Sequence, residues 1–313
     1  MTLPFAVRSL RNAVVSACLI GAVGLFPIAA QAVEKLRIGT VVWVGQAPFY
    51  VADKLDLFKA HGLKVDLQMF SDPTMVPTAM VGNALDGGTL TYDQVISAVA
   101  RGIPHKVVMP IDFSNGGDAI VADQSIKSVT DFKGKKVGFS PLSTSDFLLA
   151  YALKSHGLSY KDIVPVSMTP ENVPSAMASG SLPIGVTYEP NVSQAVGMPG
   201  NKFHVVYSSK EAPGLITDVL VFDERVIAKR PAAIKALMQG YLDGLAYIET
   251  HPDEAAVIIA KVLGVSPEEA KATTSFYGSS ELIAQLLKAN GQITDIPDFG
   301  STFDTRFVNE LTR

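Results

Sequence analysis

The sequence predicts an α/β protein of two lobes, and three observations carry that prediction. Short β-branched or apolar runs alternate with helical patterns, the signature of a largely parallel sheet covered by helices. The series stops at a glycine-rich break, Ser114-Asn115-Gly116-Gly117, and restarts beyond it. After a last apolar run, Leu215 to Phe222, the chain turns to helices with few strands. One lobe is therefore expected from residues 33–113 together with a helical part at 217–313, and an inserted lobe from 114–216. Two crossover strands, near 112–117 and 214–219, join them. Such a hinge suits closure on a small ligand, and α/β sheets hold ligands beyond the carboxyl ends of their strands.

Residues 1–32 carry the pattern of a cleavable export signal. Arg8 and Arg11 precede an apolar stretch, Ala13 to Phe26, and Ala30-Gln31-Ala32 supplies the small-x-small cleavage pattern. The stretch is short for a permanent span and soon meets polar Gln31, Glu34 and Lys35. Val15-Ser16-Ala17-Cys18 resembles the box before a lipid-modified cysteine. Only six residues separate Arg11 from Cys18, however, and the apolar run continues past it. Cleavage between Ala32 and Val33 is expected, rather than a lipoprotein, and places the protein in the periplasm.

The elements follow in order. Leu36 to Val42 is a strand, Pro48 to Lys59 a helix, Lys64 to Phe70 a strand and Thr74 to Val81 a helix. Gly62 stands where a helix stop is needed. Leu85 to Leu90 is a strand running into Thr91-Tyr92-Asp93-Gln94, a capping box that opens a helix to Arg101. His105 to Asp112 is the next strand. Past the glycine break come strands at 118–122, 135–140, 162–168, 182–187 and 203–208, with helices at 145–156 and 173–179. The tail predicts helices Ala232–Thr250, Pro252–Leu263, Pro267–Phe276 and Ser280–Asn290. Ser266-Pro267-Glu268-Glu269 combines a cap serine, a first-turn proline and acidic side chains.

Composition narrows the function. Of 313 residues, 48% are hydrophobic and 18% charged, enough to bury a core and too apolar for a disordered chain. Loss of Arg8 and Arg11 with the leader would move the net charge from -4 to -6. The longest basic run is Lys133-Gly-Lys135-Lys136, which excludes a nucleic-acid partner. The single cysteine, Cys18, would leave with the leader. The remainder then lacks disulfides and thiol chemistry and is safe in an oxidising compartment. The five histidines, His61, His105, His156, His204 and His251, are scattered, and no phosphate loop or nucleophile elbow is present. No catalytic role, cofactor or metal is expected.

Several segments match one family. They are Ile38-Gly39 to Trp43-Val44-Gly45-Gln46-Ala47-Pro48-Phe49-Tyr50-Val51-Ala52, Leu57-Phe58 before Gly62-Leu63-Lys64-Val65, and Leu85-Asp86. Further on come Ser114-Asn115-Gly116-Gly117-Asp118-Ala119-Ile120-Val121-Ala122, Asp131-Phe132-Lys133-Gly134-Lys135-Lys136-Val137-Gly138 and Thr187-Tyr188-Glu189-Pro190. Over roughly residues 35–290 the chain resembles the substrate-binding proteins of ABC importers in the nitrate, sulfonate and taurine (NitT/TauT) family. The resemblance implies the type II periplasmic binding protein fold and capture of a small sulfonate, taurine or nitrate-type compound. It also implies a permease with a cytoplasmic ATPase as partner. A thiamine-precursor pyrimidine or other amine is the alternative ligand, an enzyme of the same fold the more distant one. A monomer is expected.

The strand-end loops that would face the cleft contain no Lys or Arg, which disfavours a multivalent oxyanion. Trp43, the only tryptophan, follows the first strand beside Gly45 and suits stacking on a ligand, although core packing is the competing role. Phe113 and Tyr188 are weaker versions of the same case. Thr89, Thr91, Ser143 and Thr144 stand at helix starts, where backbone N–H groups attract an anion; plain capping is the simpler role. Asn115 lies in the glycine break. Asp118 and Glu189, with Asp112 and Asp218 nearby, would suit an ammonium or another donor, or else brace the hinge.

Overall fold

The computed structural model of the protein describes residues 34–268 and Ala270. These residues fall within a compact unit that begins at Val33. The first series runs β1 (Glu34–Val41), α1 (Ala47–Lys54), α2 (Leu57–Ala60), β2 (Leu63–Phe70), α3 (Met75–Val81), β3 (Gly87–Thr91), α4 (Tyr92–Ala100) and β4 (His105–Phe113). The second runs β5 (Asp118–Asp123), β6 (Lys136–Phe139), α5 (Thr144–Ser155), β7 (Val164–Ser167), α6 (Val173–Ala178), β8 (Ile184–Tyr188), α7 (Asn191–Val196) and β9 (Phe203–Ser208). The chain then returns through β10 (Thr217–Asp223) to α8 (Glu224–Lys229), α9 (Pro231–Thr250) and α10 (Pro252–Leu263).

Two five-stranded sheets result, ordered β2-β1-β3-β10-β4 and β7-β6-β8-β5-β9. Each is mixed, where the sequence pattern suggested largely parallel. β10 runs antiparallel to β3 and β4, and β5 antiparallel to β8 and β9. The reason is the crossing. β5 and β10 each enter their sheet from the cleft side, whereas their neighbours run towards it. The two crossing segments lie side by side, with the Ser114 N–H donating to the Ile216 carbonyl at 2.9 Å.

Each sheet has its own core. Leu36, Ile38, Leu220 and Phe222 pack with Phe49 of α1 and Leu237 and Tyr241 of α9. In the other lobe Ile120, Val137 and Val186 pack with Phe132 and with Leu148 and Leu149 of α5. Burying side chains of this size contributes about 1.5 to 3 kcal/mol each, so each lobe holds the strands that end at the cleft in place.

The helix expected over Pro48–Lys59 is two helices, because Asp56 adopts a left-handed φ of 56°. α7 and α8 were not expected; both are six residues long, too short for a periodic pattern to show. The start expected at Ser266 is present as the bond from Ala270 N–H to the Ser266 carbonyl. The remainder of that helix, the helix at 280–290 and the export signal lie outside the described residues.

Candidate ligand-binding site

A cavity opens between the carboxyl ends of the strands, lined by Val41, Trp43, Pro73, Thr89, Leu90, Thr91, Gln94 and Asp218 from the first lobe, and by Asp118, Thr144, Tyr188 and Ile216 from the second lobe and the crossing. It encloses about 400 Å³ of atom-free space, its open mouth included.

Trp43 is pinned on three sides. Its indole N–H donates to Asp112 Oδ2 at 3.0 Å, and its backbone N–H to the Tyr50 hydroxyl at 3.2 Å. Its ring meets Tyr188 edge to face, 6.0 Å between centroids at 88°. Gly45 and Gly117 make this close approach feasible. A Cβ on Gly45 would sit 1.5 Å from Asp112 Oδ2, and one on Gly117 2.4 Å from the indole. Only 7% of Trp43 stays exposed, so it serves as packed wall and cavity lining together.

Thr89 and Thr91 project from β3, both buried. Thr89 bonds the Thr40 hydroxyl at 2.8 Å. Thr91 caps α4, its N–H and hydroxyl reaching Gln94 Oε1 at 3.2 and 3.3 Å. The Thr91 hydroxyl also lies 3.0 Å from that of Thr144, the first residue of α5, and so bridges the lobes. Ser143 caps α5 through its bond from Ser145 N–H at 3.2 Å.

Three buried acids converge here. In strand register Asp218 lies between Thr91 on β3 and Asp112 on β4, and Asp118 stands at the start of β5 opposite Tyr188. Asp112 and Asp218 interact directly. Burial and the Asp112 charge push Asp218 well above the usual carboxyl range, while Asp112, raised by burial, accepts bonds from Asp218 and Trp43. Burial also raises Asp118 to about 7, opposed by its bond from Ser114 and aided by Asp112 and Asp93. Like charges crowded away from water cannot all ionise.

Other expected contacts stand away from the cavity lining. Phe113 is half-buried at the end of β4, paired with Thr217. Asn115 is exposed in the crossing loop. Glu189 spends its carboxylate on α7, accepting from Ser193 N–H at 3.0 Å and from its hydroxyl at 2.9 Å. Pro73, in the strand-end loop Ser71 to Thr74 expected to face the cleft, lines the cavity, as does Gln94, which was not expected there. The capping motif accounted for Gln94 at sequence level but used only its oxygen. Among the described residues, no group of three or more His, Cys, Asp or Glu could hold a metal ion.

The chain is similar to the taurine-binding periplasmic protein of Escherichia coli, 24% identical over 321 residues that cover 93% of this chain and 97% of the relative. Among solved structures it is similar to the periplasmic aliphatic sulphonate binding protein SsuA of Escherichia coli, with a TM-score of 0.67 at 21% identity over 86% of this chain and 97% of that one. The desulfurization enzyme DSZB shares the fold at 13% identity, with a TM-score of 0.60 over 88% and 98% of the two chains, so fold alone does not decide between binding and catalysis. Residues 43–255, most of the chain, match the family described as NMT1/THI5 like, and the protein belongs to that family.

Proposed function

We propose that the protein is the solute-binding component of an ABC importer, acting in the periplasm after removal of residues 1–32. It captures a small organic nitrogen or sulfur compound between its lobes and delivers it to a permease. The observation that carries this reading is a cavity lined from both lobes and bridged by Thr91 and Thr144. A solute held there contacts both lobes at once and so stabilises the closed form over the open one. The relatives named for taurine and aliphatic sulphonate agree with a small solute.

Catalysis is not part of the reading: the cavity chemistry consists of hydroxyls, an amide and carboxyls without a nucleophile–base pair. The test is a thermal-shift panel of small solutes, followed by small-angle scattering. A binding solute raises the melting temperature, compacts the protein and is recovered unchanged. Turnover of the solute, or binding without compaction, would remove the importer reading. Amino-terminal sequencing of the protein from the periplasmic fraction is expected to begin at Val33.

A further inference from the structure

We propose that the cavity selects a solute with an N–H-rich nitrogen group, an ammonium or a conjugated amine, accepted by Asp118 and Asp218, and with a hydrogen-bond acceptor met by the Gln94 amide. This rests on the solute-binding reading above and names its ligand class.

Among the described residues the acids have no cationic partner. Every ion pair described in the structure lies elsewhere, and none involves Asp112, Asp118 or Asp218. No lining residue is Lys or Arg. Buried carboxylates are ordinarily paired or protonated, and here two of them form part of the wall of a cavity lined from both lobes. An amine-free anion would bring a further negative charge beside Asp112 with nothing basic to receive it. An ammonium or amino group instead supplies several N–H donors to acceptors that already converge.

The second observation is independent of the acids. Gln94 Nε2 is buried without a hydrogen-bond partner, although only 8% of the residue is exposed. Its orientation is fixed, because Oε1 accepts from the Thr91 N–H and the nitrogen is therefore the free atom. An unpartnered buried donor on the lining of a cavity calls for an acceptor in the ligand. A zwitterion with an amine and acidic oxygens meets both demands, as does an aminated heterocycle. A plain alkanesulfonate or nitrate meets only one.

Calorimetry on the purified protein with two probe pairs decides the matter: taurine against ethanesulfonate, and 4-aminopyrimidine against pyrimidine. The aminated member of at least one pair is expected to bind roughly a hundredfold tighter than its amine-free partner, as for sites built around a donor. Asp118→Asn and Asp218→Asn should collapse that preference. Gln94→Met, which removes the donor without adding a charge, should weaken the aminated probe while the helix, still capped by the Thr91 side chain, remains folded by circular dichroism. Equal binding within both pairs, preference for the amine-free members, or silence from both aminated probes overturns the proposal. Tight, compacting binding of ethanesulfonate or nitrate alone would do so while leaving the importer reading intact.

Discussion

The Trp43 indole N–H lies 3.0 Å from Asp112 Oδ2, and that bond couples the aromatic wall of the cavity to the buried Asp112–Asp218 pair. Without it Asp112 would lose a donor while still buried, and the indole would lose the contact that holds it edge-on to Tyr188. Trp43→Phe keeps most of the ring area and deletes the donor. Solute affinity is expected to fall by about 1 to 3 kcal/mol, the range for a hydrogen bond to a charged group together with the orphaned acceptor, with the fold retained. Calorimetry checks this, and an unchanged dissociation constant would reduce Trp43 to packing.

Asp118 gives the protein a pH dependence whose sign follows from its surroundings. In the unfolded chain its carboxyl titrates near 3.8; folded, buried and facing Asp112, Asp93 and Asp218, it titrates at about 7. Between those values the folded state keeps a proton that the unfolded state has lost. Its contribution to stability is therefore complete below about pH 4, declines as the pH rises and is gone above about 7. Asp118→Asn should flatten that slope, making the variant more stable than the parent at pH 8, relative to pH 4.5, by about 2 to 4 kcal/mol. Urea melts of the empty protein at the two pH values decide it, and parallel curves for both proteins would refute the assignment. An amine ligand is expected to show the opposite trend, binding more tightly as the pH rises and Asp118 ionises.

Much of this was legible in the sequence. The alternation of strand and helix patterns, the restart at Ser114–Gly117 and the lack of basic residues at the strand ends all come from local composition. The Thr91–Gln94 capping box was legible for the same reason, since its partners are three residues apart. The antiparallel insertion of β5 and β10 was not, because pairing partners such as Asp218 and Thr91 are set by the crossing and not by neighbours in the chain. Nor was the convergence of Asp112, Asp118 and Asp218 into one buried cluster, which needs three strands in register. Glu189 is a related case. Its place after a strand end suggests a ligand contact, while its actual partner, Ser193, belongs to a helix too short to show in the pattern.

Glu189→Gln separates those two roles. The carboxylate accepts from the N–H and hydroxyl of Ser193, and glutamine retains one acceptor. Stability should drop by less than about 1 kcal/mol, the scale of a partly kept helix cap, and solute affinity should stay within about twofold, since the carboxylate is engaged by Ser193 and lies off the cavity lining. A tenfold or greater loss by calorimetry, on the order of 1.4 kcal/mol, would return Glu189 to the ligand.

Thr144→Val tests whether the lobes are latched at the cavity. The Thr91–Thr144 bond is the hydroxyl contact that spans them beside the ligand space, and valine keeps the shape while removing it. Each lobe retains its own core, so the melting temperature of the empty protein should barely move. In the liganded protein the closed form would lose about 1 kcal/mol, a typical net worth for a hydrogen bond, or roughly a fivefold weaker affinity. Contacts that act after closure slow escape rather than speed encounter, so the change belongs in the dissociation rate. Stopped-flow fluorescence of Trp43, the only tryptophan in the chain, reads that rate directly. Faster release at an unchanged association rate is the expected result, whereas equal release rates would mean that Thr91 and Thr144 merely cap their own helices.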